Sequence, residues 1–184
     1  MQTTGPFRIA TFSIRLAVLL GLVSVTMAPV TLAGSAEEAK EIASLAGFHG
    51  GLVIHVGCGD GKLTAALRLA ENCVVQGLES DAKLVETARA AIRVRGLYGP
   101  VSVVQWNGEE LPYVDNLATL VVCEHADTVP AGELMRVVRP FGSLAVKQGG
   151  QWTVAVKPQR PGTDQWEQHY RGADNNAVAQ DTVV

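Results

Sequence analysis

The stretch that most limits how this chain can fold is VIHVGCGDGKLTAALRLA, residues 53–70. A short apolar run enters a turn with glycine at alternate positions, Gly57, Gly59 and Gly61. The turn leads at once into helical spacing, with Leu63, Ala66, Leu67 and Ala70 on one face. Strand, glycine turn and helix in immediate succession belong to a parallel α/β sheet. There the strand end delivers the turn to a ligand, and glycine lets the backbone approach it closely.

The rest of the chain repeats the alternation. SAEEAKEIASLA, 35–46, has helical spacing, with Ser35 as N-cap and Gly47 as stop. Strands are expected at 51–56, 73–78, 101–106, 117–123 and 143–148, and helices at 62–70, 81–95 and 130–138. Ser80 or Asp81 caps the helix at 81, Gly96 ends it, and Pro130 sits where its missing N–H costs little. Most of the strands are continuously apolar, as in a parallel sheet covered on both faces. Gly149-Gly150 is a two-residue hairpin signal, so a last strand at 152–157 folds back antiparallel. The fold class is therefore α/β, a doubly wound and mostly parallel sheet of about six strands.

Both ends differ in composition from this middle. Arg8 and Arg15 precede LAVLLGLVSVTMAPVTLA, 16–33, which carries no charge. The pattern reads as a secretory signal peptide cleaved after Ala33, the rival being an uncleaved membrane anchor. The domain then spans 34–157, exported or held at a membrane. Residues 158–184 are polar and rich in Pro, Gly and Asn, and read as a flexible tail or linker. Cys58, Cys73 and Cys123 are odd in number and match no zinc spacing, so they read as free thiols, with no metal site. A formal charge of −3, no Lys/Arg run and only 5% aromatics give no reason to expect a nucleic-acid partner.

The glycine spacing excludes two common phosphate-binding loops. A dinucleotide fingerprint needs a third glycine where Lys62 stands, and a P-loop needs Ser or Thr where Leu63 stands. A second feature points to a nucleoside. The next strand ends in VQGLES, which places Glu79 at the carboxyl end of a neighbouring strand. A carboxylate there can accept both hydroxyl hydrogens of a ribose.

With these motifs in order, residues 47–147 resemble the class I S-adenosylmethionine-dependent methyltransferases, whose fold is Rossmann-like. VGCGDG looks like the family's first motif, Glu79 matches its acidic ribose position, and VQWNGEELPYVDN is similar to its adenine-flanking segment. LATLVVCEH resembles the fourth strand, and ELMRVVRPFGSLAV the helix, turn and strand that commonly read RVLRPGG. The resemblance implies S-adenosyl-L-methionine as cofactor, with His55, Gly57, Cys58, Gly59, Gly61, Glu79, Ser80, Asn107 and Gly108 around it. The chain departs from the family pattern at four places, one being Thr119 where the fourth strand usually has Asp. His55 stands where an acid usually precedes the glycines, Phe141 stands in the PGG turn, and the segment after the fourth strand is very short.

Methyl transfer from a sulfonium asks the protein mainly for positioning and a dry electrostatic environment. Glu124, His125 and Asp127, after the fourth strand, are the candidate bases, the rival reading being solvated loop side chains. The sequence thus points to a methyltransferase of unknown acceptor. An alternative comes from the tail, which resembles the lead-in to an exported quinoprotein-like (PQQ-type) β-propeller. On that reading the chain is a non-catalytic accessory domain, truncated or split from a propeller partner.

Overall fold

The computed structural model describes residues 32–108, 110–125, 129–163, 178 and 181–182. The expected signal or anchor run lies outside these residues up to position 31, as do Asp127 and most of the tail. The elements run α1 (Leu32–Ala46), β1 (Gly51–Val56), α2 (Lys62–Ala66), β2 (Cys73–Glu79), α3 (Ala82–Val94), β3 (Val101–Gln105), β4 (Ala118–Cys123), α4 (Ala131–Val137), β5 (Val138–Gln148) and β6 (Gln151–Val156). The strands form one six-stranded sheet in the order β3-β2-β1-β4-β5-β6. All neighbours are parallel except β5 and β6, which form the hairpin expected around Gly149-Gly150. The order reverses between β1 and β4, and a ligand crevice forms outside the strand ends at such a switch point.

Alternating side chains of the central strands feed two cores. Val53, Val75, Leu120 and Val122 pack with Ile42 of α1, Leu63 of α2 and Ala88 and Ile92 of α3. Ile54, Val56, Leu78 and Val121 pack on the other face with Leu134 and Val137 of α4, and with Trp106 and Leu111. Three helices thus cover one face, while one short helix and the 106–117 connection cover the other.

Three elements differ from the sequence expectation. α1 begins at Leu32, so Ser35 lies inside the helix, buried, and is not its cap; the expected cleavage bond after Ala33 falls within α1. α2 ends at Ala66 rather than 70. Leu67 is wholly buried, Arg68 N–H closes on the Ala65 carbonyl, and the chain then reverses to enter β2 beside Gly51. β5 starts at Val138 instead of 143, because Val138 already pairs with Ala118 and a bulge follows before Ser143 meets Leu120. In that bulge a Cβ on Gly142 would lie 2.9 Å from the Thr119 carbonyl oxygen, so no side chain fits there. The left-handed conformation falls on Phe141, at φ 60°, a conformation that costs a side-chain-bearing residue about 1–2 kcal/mol.

One ion-pair hub on α4 holds the 106–117 connection in place. Glu133 accepts from the Leu111 N–H at 2.8 Å and from Arg136 Nε and Nη2, both at 2.8 Å. Arg136 donates onward to the Tyr113 and Leu111 carbonyls and to Asp115. Arg136 holds the Glu133 carboxyl down at about 2, from 4.5. A depressed acid stabilises the fold fully above its ordinary value and stops doing so as pH falls through its folded value. Glu133→Gln should therefore lower stability at neutral pH. Its deficit against the parent should shrink between pH 4.5 and about 2, as read by denaturant midpoints across that range.

Candidate cofactor site

The site is built where β1 ends. Gly57 and Cys58 both donate their N–H to the Leu78 carbonyl of β2, at 2.9 and 3.0 Å, which clips the turn to the neighbouring strand. Gly61 donates to the Cys58 carbonyl at 2.9 Å and starts α2 from a left-handed φ of 74°. The three glycines serve different ends. A Cβ on Gly59 would meet nothing within 4 Å, so this glycine borders open space. A Cβ on Gly61 would stand 2.7 Å from the Ala88 Cβ, so this one is required by the packing of α2 on α3.

Glu79 completes the turn. It is 8% exposed, yet its carboxylate is fully engaged on its inner side. Oε2 accepts from Gly59 N–H at 2.8 Å, and Oε1 accepts from the N–H groups of Ser80 and Asp81 at 2.8 and 3.2 Å. A carboxylate offers about four lone-pair directions. The Ser80 hydroxyl also lies 3.4 Å from Oε1, so the direction left open to a ligand is on Oε2, which holds only the Gly59 amide.

Two cavities adjoin across the turn. The larger, about 470 Å³, is lined by Gly57, Gly59, Leu78, Glu79, Ser80, Leu84, Trp106, Asn107, Gly108 and His125. It brings together six of the residues expected around the cofactor and adds Leu78, Leu84 and Trp106. Leu84 was legible as an apolar residue on the exposed first turn of α3, where burial in the core does not explain it. The smaller, about 280 Å³, is charged, and Glu124, Lys147, Asp60 and Lys62 face it with Ser35 and Glu38 of α1.

Three residues expected around the cofactor lie outside the larger cavity. Gly61 is buried beneath Ala88. Cys58 borders the smaller cavity but its thiol turns inward: a Cβ on Gly77 would lie 2.8 Å from its Sγ, and burial pushes the thiol up to about 12. It is a packing residue there, too little ionised to act as a nucleophile. His55 is wholly buried and lines neither cavity. Its Nδ1 lies 2.9 Å from Thr64 Oγ1, and its Nε2 stands 3.2 Å from Glu124 Oε1 without the alignment of a hydrogen bond. The nearby His55 ring, working against burial and helped by Lys147, holds the Glu124 carboxyl below its usual range. Of the candidate bases, Glu124 and His125 stand at the cavity mouths.

Comparison with known proteins agrees with this geometry. The family model described as a methyltransferase domain matches residues 53–150, from β1 to the β5–β6 hairpin. The chain belongs to this family. A curated relative, Methyltransferase GfsG of Streptomyces halstedii, is 33% identical over 101 residues, 51% of this chain and 36% of that protein. The chain thus spans about a third of that relative's length. A proposed S-adenosyl-L-methionine-dependent methyltransferase from Methanococcus maripaludis superposes with a TM-score of 0.58 at 25% identity, over 66% of this chain and 59% of that one. The [4+2]-cyclase SpnF does so with a TM-score of 0.52 at 28% identity, over 60% and 43%.

In this methyltransferase domain the two glycines can be told apart by substitution. Gly61→Ala combines a left-handed residue with overpacking and should cost about 2–4 kcal/mol of stability. Gly59→Ala should cost only the backbone share, about 1–2 kcal/mol. Urea denaturation of the two variants measures the difference.

Proposed function

We propose that this domain binds S-adenosyl-L-methionine across the two cavities and transfers its methyl group to a small-molecule or macromolecular acceptor. The observation that carries this is the pairing of cavities at the switch point. One is walled by Leu84 and Trp106 and floored by Glu79; the other is charged; the open Gly59 lies between them. A ligand with a nucleoside at one end and an amino acid at the other matches both in chemistry. When bound, this cofactor supplies an electrophilic methyl on a sulfonium.

The residues of the chain have distinct tasks around it. Glu79, already fixed by three amide donors, offers its remaining Oε2 direction to a sugar hydroxyl without further ordering cost. Leu84 and Trp106 give a flat base an apolar resting place, and Asn107 and Gly108 form its rim. The hub of Glu133 and Arg136 anchors the connection that carries this rim. His125, exposed at the mouth of both cavities, is placed to take a proton from an acceptor. The uncharged run after Arg15, read as an export signal or anchor, adds the proposal that the domain works outside the cytoplasm or at a membrane.

The test is calorimetric titration of the purified chain with S-adenosyl-L-methionine and S-adenosylhomocysteine. Binding in the micromolar range is expected. Leu84→Trp, a change at a partly exposed position that fills the larger cavity, should weaken it by at least about tenfold while leaving thermal stability nearly unchanged. A folded chain that binds neither ligand at millimolar concentration would overturn the proposal and leave a scaffold role.

A further inference from the structure

The smaller cavity contains several charges, and most are already matched. Lys62 pairs with Asp60 at 2.5 Å. Lys147 pairs with Glu38, whose same oxygen also accepts the Trp152 indole N–H at 3.0 Å. Glu124 differs. Among the described residues its ion-pair neighbour is a histidine, not a lysine or arginine, and its side chain remains 28% exposed toward the cavity.

Behind Glu124 sits one of three buried side-chain polar atoms that lack a hydrogen-bond partner among the described residues. His55 Nε2 is completely buried and makes no aligned hydrogen bond, although Glu124 Oε1 is 3.2 Å away. Leaving a buried donor or acceptor unsatisfied is costly, so such an atom calls for a role. The ring cannot drift, because Nδ1 is held by the buried Thr64 hydroxyl at 2.9 Å. The Glu124 carboxylate lies 3.2 Å from this atom on one side and lines the cavity on the other. The arrangement is a fixed arm, Thr64–His55, that steadies an anion from the protein side.

We infer that Glu124 is the receptor for a primary ammonium group in the smaller cavity, with His55 as its positioning residue, so that this carboxylate selects ligands bearing a free α-amino group. The inference rests on the binding proposal above and assigns Glu124 to ligand recognition, in place of the proton-accepting role the sequence suggested.

The experiment compares two ligands on the full chain by calorimetry: S-adenosylhomocysteine, and 5′-methylthioadenosine, which keeps the nucleoside and thioether but has no amino-acid end. Glu124→Gln removes the charge and keeps the shape. It should weaken S-adenosylhomocysteine roughly 10- to 100-fold, the loss of one charge-assisted hydrogen bond, and leave methylthioadenosine within about twofold. His55→Phe should show the same selective loss to a smaller degree, and His55→Gln, which restores a donor, should recover part of it. An equal loss for both ligands, or no loss for S-adenosylhomocysteine, overturns the inference while leaving the binding proposal standing. So does a variant that keeps its affinity but loses turnover, which would make Glu124 a base toward the acceptor. Failure of the parent chain to bind either ligand is a separate result and removes both.

Discussion

The site depends on one buried carboxylate. Glu79 holds the Gly59 amide with one oxygen and the Ser80 and Asp81 amides with the other, so a single side chain joins the end of β2, the glycine turn and the start of α3. Three charge-assisted bonds to backbone N–H groups offset the cost of burying the anion. They also fix the peptide planes that border the larger cavity before any ligand arrives. Electrostatic pre-organisation of this kind matters most in a reaction where the protein supplies geometry and the cofactor supplies the chemistry.

The second wall of the crevice is built differently. The 106–117 connection has no helix or strand among its described residues and depends on α4, whose Arg136 reaches two of its carbonyls and one of its carboxylates. Lys157, just after β6, fastens the C-terminal end of α4. Its ammonium donates to the carbonyls of Met135, Arg136 and Val138 and to the Asn116 amide oxygen. A helix of seven residues could not hold such a wall by its own hydrogen bonds. Arg136 reaching out to the connection and Lys157 reaching the helix's C-terminal carbonyls do that instead.

The fold was legible because its signals are local. Apolar runs, Asp81 as a cap, the Gly149-Gly150 hairpin and the glycine turn each announce themselves within a few residues. What could not be read depends on partners far apart in sequence. The bulge that brings β5 forward to Val138 follows from the closeness of Gly142 to Thr119, and the early end of α2 from the burial of Leu67. In the site, Glu79 was legible from its place at the end of β2, while Ser80, Asn107 and Gly108 came from the family resemblance; all four line the larger cavity. Lys147 and Glu38 were not legible, since only the folded sheet brings a β5 lysine over an α1 glutamate. His55 was misplaced for a related reason. Strand alternation assigns it a face, and the packing of α2 through Thr64 decides that the face is closed.

The three cysteines have a consequence for where such a domain can persist. All are buried and unpaired, and burial raises the Cys58 and Cys123 thiols further from ionisation. Exchange with disulfides and attack by oxidants both proceed through an accessible thiolate. Buried thiols, out of reach of such reagents, are slow in both reactions. The fold therefore needs neither a reducing cytosol to protect its thiols nor an oxidising compartment to complete its bonds.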